Sequence, residues 1–207
     1  TIWLISIIPG KEKLEEAHVT FGTTVSLFSD KYIVSLFLGI LFIVGIDVGL
    51  NTTIPKLLMD RTGMPLSEAG LGTSLYFAAR TIGSFVGALL LAKLSASRFL
   101  KYSMFVAIVA FVLLLAVPAT WSMFVMIVIV GLACANVFSI IFSFALQHKP
   151  ERANEISALM IMGVSGGALI TPLMGVVADG FGQVAGLSIL LLCLLYICLI
   201  SFRIDKK

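Results

Sequence analysis

Six apolar segments divide this chain, each long enough for a helix to cross a hydrocarbon core about 30 Å thick. They run over roughly 32–59, 66–94, 99–117, 121–146, 156–178 and 184–202. Lipid offers the backbone no hydrogen-bond partners, so such segments must be helices. Most folds are excluded at once, and the chain reads as an all-α membrane protein with six transmembrane helices. The basic residues then orient it. If the gaps between spans are assigned to alternate sides, one side receives Lys11, Lys13, Lys31, Lys93, Arg98, Lys101, Lys149, Arg152, Arg203, Lys206 and Lys207. The other receives only Lys56 and Arg61, and Arg80 lies inside the second span. Positive residues stay on the cytoplasmic side. Both ends of the chain are therefore expected in the cytoplasm, in a multi-pass protein of the plasma or inner membrane.

Charged residues make up only 12% of the chain and the mean hydropathy is +1.11. A soluble domain carries about 25% charged residues. The net charge of +3 sits at the ends of spans, where it serves orientation and contact with anionic lipid rather than nucleic acid. Cys134, Cys193 and Cys198 all fall within spans, which indicates apolar packing and no disulfide. No cluster with the spacing of a metal site is present, and no cofactor is expected. At the start, Thr1–Ile8 is an apolar run stopped by Pro9-Gly10. It lacks the basic start and cleavage site of a signal peptide, and reads as the tail of a preceding transmembrane helix. Residues 9–31 then read as a cytoplasmic connector with room for a short interfacial helix.

Polar residues inside a membrane are expensive and face a cavity or another helix. Span 1 carries Asp47, Asn51, Thr52 and Thr53; span 2 carries Thr73, Ser74, Tyr76, Arg80, Thr81 and Ser84; the middle of span 3 carries none. Span 4 carries Asn136, Ser139 and Ser143; span 5 carries Ser165 and Thr171; span 6 is again almost bare. Polar, polar, bare, twice over, predicts two three-helix repeats with spans 3 and 6 facing lipid. Inverted three-helix repeats are a recurrent build of secondary transporters. Small residues recur every fourth position at Ala79, Gly83 and Gly87, and at Gly163, Gly167, Thr171 and Gly175. Such ladders let helices approach closely in lipid. Pro172 is expected to bend or loosen span 5.

Three stretches resemble a known family: GIDVGLNTTIPKLL (Gly45–Leu58), AGLGTSLYFAARTIGSFVGALLLAKLSASRFL (Ala69–Leu100) and ANVFSIIFSFALQHKPERANEISALMIMGVSGGALITPLMGVVAD (Ala135–Asp179). In order and spacing the chain resembles the C-terminal half of a major facilitator superfamily sugar transporter, nearest the fucose–galactose–glucose:proton symporter family. Two departures are Ser139, where many relatives have proline, and Lys93–Lys101, which lacks the acidic residue of the superfamily's loop signature. The resemblance implies helices seven to twelve of a twelve-helix protein, partnered by an N-terminal six-helix half and surrounded by membrane lipid. It further implies a monosaccharide and a proton as cargo, with the main proton site in the other half. Sugar hydroxyls need donors and acceptors on a polar wall, and Asn51, Asn136 and Tyr76 are of the right types. Asn136 equally suits an interhelical hydrogen bond.

Asp47 and Asn51 are four residues apart and share a helix face, as do Tyr76 and Arg80. At about 1.5 Å rise per residue, Asp47 and Arg80 come to similar depth near the membrane midplane. An ion pair there lowers the cost of both charges. Three roles are open to it: a lock between helices, a gate that re-forms between conformations, or direct contact with sugar or proton.

Rival functions fare less well. Gly163-Val164-Ser165-Gly166 matches the GxSG of six-helix intramembrane serine proteases. That chemistry needs a histidine beside the serine, and the only histidines are His18 in the connector and His148 at a helix end. An enzyme is therefore not expected. No arginine-repeat voltage sensor or filter loop speaks for a channel. A transporter of another small molecule, such as a drug exporter, is the remaining alternative.

Overall fold

The computed structural model describes residues 21–204. The expected helix tail at 1–8, the connector as far as residue 20, His18 and the flanking lysines Lys11, Lys13, Lys206 and Lys207 lie outside the described residues. A short helix α1 (Phe21–Ser26) and a 3-10 turn (Leu27–Ser29) lead into the first long helix.

That helix, α2 (Lys31–Thr62), owes its limits to local chemistry. The Asp30 side chain accepts hydrogen bonds from the Tyr32 and Ile33 N–H groups, at 2.9 and 3.4 Å, and so caps the first turn. At the other end Gly63 takes a left-handed conformation (φ 71°) and returns its N–H to the Met59 carbonyl. Pro65 then starts α3 (Leu66–Leu91). A four-residue turn leads to α4 (Ala96–Ala116). The fourth span is built from α5 (Thr120–Cys134) and α6 (Val137–His148), interrupted at Ala135 and Asn136. The fifth comprises α7 (Ala153–Met162), a 3-10 turn (Gly163–Ser165) and α8 (Gly166–Phe181), and the sixth is α9 (Gln183–Ile204). Among the described residues, six helical stretches are long and apolar enough to cross a membrane.

The packing network repeats. Span 2 lies along span 4 as span 5 lies along span 1; span 3 lies along span 4 as span 6 lies along span 1; spans 3 and 6 pack on each other. Exchanging the first three spans for the last three reproduces each of these pairs, the signature of two three-helix repeats. Two pairs break the rule. Spans 1 and 2 pack along each other, whereas spans 4 and 5 meet mainly where α6 adjoins α7. Spans 5 and 6 run in contact, with Gly186 close against Met174 and Ala178, whereas spans 2 and 3 barely touch.

Exposure along α3 shows how the sequence allots its faces. Ala69, Gly72, Tyr76, Ala79, Gly83 and Gly87 form one buried stripe. With 100° per residue, Thr73, Arg80, Ser84 and Thr81 fall on one flank of it. Leu71, Leu75, Ile82, Val86 and Leu89 fall on the other and are exposed. Across the middle of spans 3 and 6 the exposed side chains are apolar, among them Phe105, Val109, Leu192 and Leu199.

The small residues explain the close approaches. A Cβ on Gly166 would overlap the Leu41 carbonyl, and one on Gly167 would lie 2.6 Å from Val48 Cγ2. Gly45 and Gly49 play the matching part on α2, against Ile170 and Met174. Gly175, the last of that ladder, faces open space. The irregularity in span 5 also differs from expectation. It lies at Gly163–Ser165, where the backbone is pressed onto α2, while Pro172 stays inside a continuous α8. Pro172 has no N–H to give the Ala168 carbonyl, yet the helix runs on to Phe181.

Candidate functional site: an ion-paired triad beside a polar trough

On α2, the direction of Asp47 faces α3, and α8 packs on the opposite flank through Leu41, Gly45 and Val48. Between those two contacts the helix keeps an open sector containing Val44, Asn51 and Pro55, all exposed or half-buried. This sector is the floor of a trough. The polar flank of α3 forms one wall and α8 the other. Asp47 lies 16 residues into a 32-residue helix, which is the middle of the span.

Asp47 is not alone at that depth. Its Oδ1 accepts a hydrogen bond of 2.7 Å from the Tyr76 hydroxyl and is ion-paired with Arg80 Nη1. Arg80 Nη1 also reaches the Tyr76 hydroxyl at 3.4 Å. The Asp47 and Arg80 side chains retain 16% and 19% exposure, so the pair borders the trough, whereas Tyr76 is fully buried beneath it. One carboxylate oxygen thus serves two donors from successive turns of α3. The arrangement meets the charge of both ionised groups within the membrane, where each alone is costly.

The other expected site residues separate. Asn51 lies one turn beyond Asp47 on the trough floor, exposed, with Thr73 donating to its backbone carbonyl at 3.5 Å. Asn136 lies elsewhere, at the seam between spans 2 and 4. It is 7% exposed, and its Nδ2 donates to the Gly83 carbonyl at 2.8 Å. A side chain on Gly87 would overlap that amide. The interruption at Ala135–Asn136 turns the amide toward α3. Beyond the break, Ser139, Ser143 and Gln147 form an exposed polar strip on α6, in which Gln147 donates to Ser143 at 2.8 Å.

Two features were not anticipated from sequence. Between α2, α8 and α9, a cavity of about 260 Å³ is lined by Thr52, Thr53, Lys56, Thr171, Asp179 and Gln183 together with Met174 and Ala178, and the Thr171 hydroxyl is enclosed there without a partner. At the opposite end, Asp30 joins the start of span 1 to the end of span 4, with Lys149 Nζ at 2.7 Å and His148 Nε2 at 3.1 Å. The Lys149 ammonium, helped by the capping N–H groups and His148, holds the Asp30 carboxyl well below its ordinary value despite partial desolvation. The signal available for this latch was only an aspartate before an apolar run and a basic pair after another.

A six-helix membrane unit with an internal repeat and an ion-paired polar trough defines a secondary-transporter half-fold. Residues 20–207 match the model of the Major Facilitator Superfamily, and the chain belongs to that family. Among curated proteins it is 26% identical over 190 residues to a putative glucose/galactose transporter of Helicobacter pylori strain J99, covering 89% of this chain and 46% of that protein. It is also 26% identical over 165 residues to a glucose/galactose transporter of Brucella abortus biovar 1, covering 77% of this chain and 39% of the relative. The chain therefore spans less than half the length of these relatives. Among solved structures, the E. coli fucose:proton symporter FucP superposes with a TM-score of 0.81 at 19% identity, over 91% of this chain and 47% of that one. A bacterial homologue of the lysosomal transporter Spinster superposes with a TM-score of 0.63 at 20% identity, over 95% of this chain and 53% of that one. The family is one of transporters rather than enzymes, and the tight packing of Gly163, Gly166 and Gly167 on α2 accounts for the GVSGG string.

Proposed function

We propose that this chain is the C-terminal six-helix half of a proton-coupled monosaccharide transporter that works by alternating access. Its trough would be one wall of a central cavity closed by an N-terminal half. The reading rests above all on the Asp47–Tyr76–Arg80 triad at mid-membrane on the edge of a trough carrying Asn51 and Thr73. It draws further support from relatives named as glucose/galactose transporters. Both chain ends are assigned to the cytoplasm by the charge asymmetry. Asn51 and the exposed edge of Arg80 are the proposed sugar contacts. Asn136 holds the wall against which they sit, through its bond to the Gly83 carbonyl. The triad locks α2 to α3 and re-forms as the cavity changes its open side.

The test is uptake of labelled galactose, glucose and fucose by the full-length protein in liposomes under an inward proton gradient. Saturable uptake abolished by a protonophore is expected for at least one sugar. In calorimetry on folded protein, Asn51→Ala should weaken sugar binding by roughly 1–3 kcal/mol, the range for a lost buried hydrogen bond. Asn136→Ala should also weaken it, with a loss of thermal stability. Sugar-independent export of an apolar cation would overturn the sugar reading in favour of a drug exporter. Sugar uptake indifferent to the gradient would overturn the coupling.

A further inference from the structure

We infer that the cleft where spans 2 and 3 fail to meet is a binding site for one anionic phospholipid. The cleft is a cavity of about 290 Å³ lined by Val86 and Leu90 of α3, Phe99 and Val106 of α4, and Ile129 and Leu132 of α5, with Gly83 and Gly87 opening its floor. Ser103 is the one polar side chain in the lining. Here the packing of the two repeats differs, because the equivalent spans 5 and 6 close on each other. It lies on the flank of the buried stripe of α3 opposite the trough, beside Ile82, Leu75 and Leu89, which are exposed. An apolar cleft on the membrane-facing side of a spanning helix is filled by acyl chain. A methylene takes about as much room as a water, roughly 30 Å³, so the cavity holds a stretch of about ten carbons.

The charge around the mouth selects the lipid. From Gly83 to Leu90 the cleft runs along two turns of α3 and ends at the turn Ala92–Ser95. That turn carries Lys93, and the first turn of α4 carries Arg98; both are exposed. Tyr102, 72% exposed, lies one turn further along the same edge. Basic residues at this level attract anionic headgroups, and a tyrosine with an apolar ring and a polar tip suits the interface. Lys101 is turned away, over the Phe202 ring of α9. The phosphate is therefore placed on Lys93 and Arg98, with one chain descending between α3 and α4.

The test is native mass spectrometry of the full-length protein released from nanodiscs of equal dioleoyl-phosphatidylglycerol and dioleoyl-phosphatidylcholine. The wild type is expected to retain one phosphatidylglycerol, preferred over phosphatidylcholine by about tenfold. Val106→Trp, at a half-exposed position, should fill the cleft and remove that retained lipid. Lys93→Gln with Arg98→Gln leaves the cleft intact and should abolish the headgroup preference, both lipids then being held equally. Melting curves establish that each variant is folded. Undiminished phosphatidylglycerol retention in a folded Val106→Trp protein overturns the proposal, as does an unchanged preference in the charge variant. Retention of detergent alone, with neither lipid, also overturns it. None of these outcomes depends on whether the protein carries sugar.

Discussion

Removing the Asp47 carboxylate is the sharpest test of the triad. Asp47→Asn leaves the Arg80 guanidinium at mid-membrane, one-fifth exposed, with only a neutral amide and the Tyr76 hydroxyl beside it and no countercharge. Two unit charges 4 Å apart attract by about 4 kcal/mol at an effective dielectric of about 20. Much of that gain only offsets desolvation, so the pair adds little net stability over an apolar pair. Breaking it is another matter, since a buried charge is stranded, and about 3 kcal/mol is expected. Arg80→Gln should cost somewhat less, about 2–3 kcal/mol, because Asp47 retains the 2.7 Å bond from Tyr76. The double variant strands no charge and should recover part of the loss, costing about 2 kcal/mol. The coupling energy is then about 3–4 kcal/mol, at or just above the upper end of the range seen for directly interacting residues. The assay is unfolding of the purified protein in mixed micelles, with transport measured in parallel. If the pair forms in one conformation only, transport falls more than stability. Strictly additive losses in both assays would refute the pairing.

Three further outcomes follow from particular contacts. Gly166→Ala drives a methyl into the Leu41 carbonyl and should cost 1–3 kcal/mol or more; Gly175→Ala enters open space and should be neutral or stabilising by up to about 1 kcal/mol. The comparison is read from two melting curves. Gly87→Ala should displace the Asn136 amide and cost about 1–3 kcal/mol, and combining it with Asn136→Ala should cost little beyond the worse single variant; full additivity would show the two sites to be independent. Asp30→Asn should cost about 0.5–1 kcal/mol, because asparagine still caps the helix and only the partly exposed ion pair is lost. Since the folded carboxyl titrates below its ordinary value of 3.8, its contribution is fully present above that pH and fades as pH falls below it. The difference in stability between wild type and Asp30→Asn should stay constant from about pH 7 to about pH 4 and begin to shrink as pH falls toward about 3.

The helices themselves were legible because the bilayer imposes one backbone solution on any long apolar run. The repeat pattern and the matched positions of Asp47 and Arg80 along their helices followed from counting residues along straight rods of known rise. Pairing between those two residues was foreseeable for the same reason, as was the tight packing of the glycine ladder in span 5. Tyr76 was assigned by type to a sugar, yet its hydroxyl is taken by Asp47, a contact that depends on the rotation of α3 about its axis. Sequence spacing says which residues share a face but not which neighbour that face meets. Asn136 makes the same point, since a local break in the fourth span aims its amide at Gly83. The Asp30–Lys149 latch and the cleft between spans 2 and 3 join segments distant along the chain, or record where two neighbours diverge. Such features are set by the angles at which whole helices cross, and those angles emerge only when all the small-residue contacts are satisfied together.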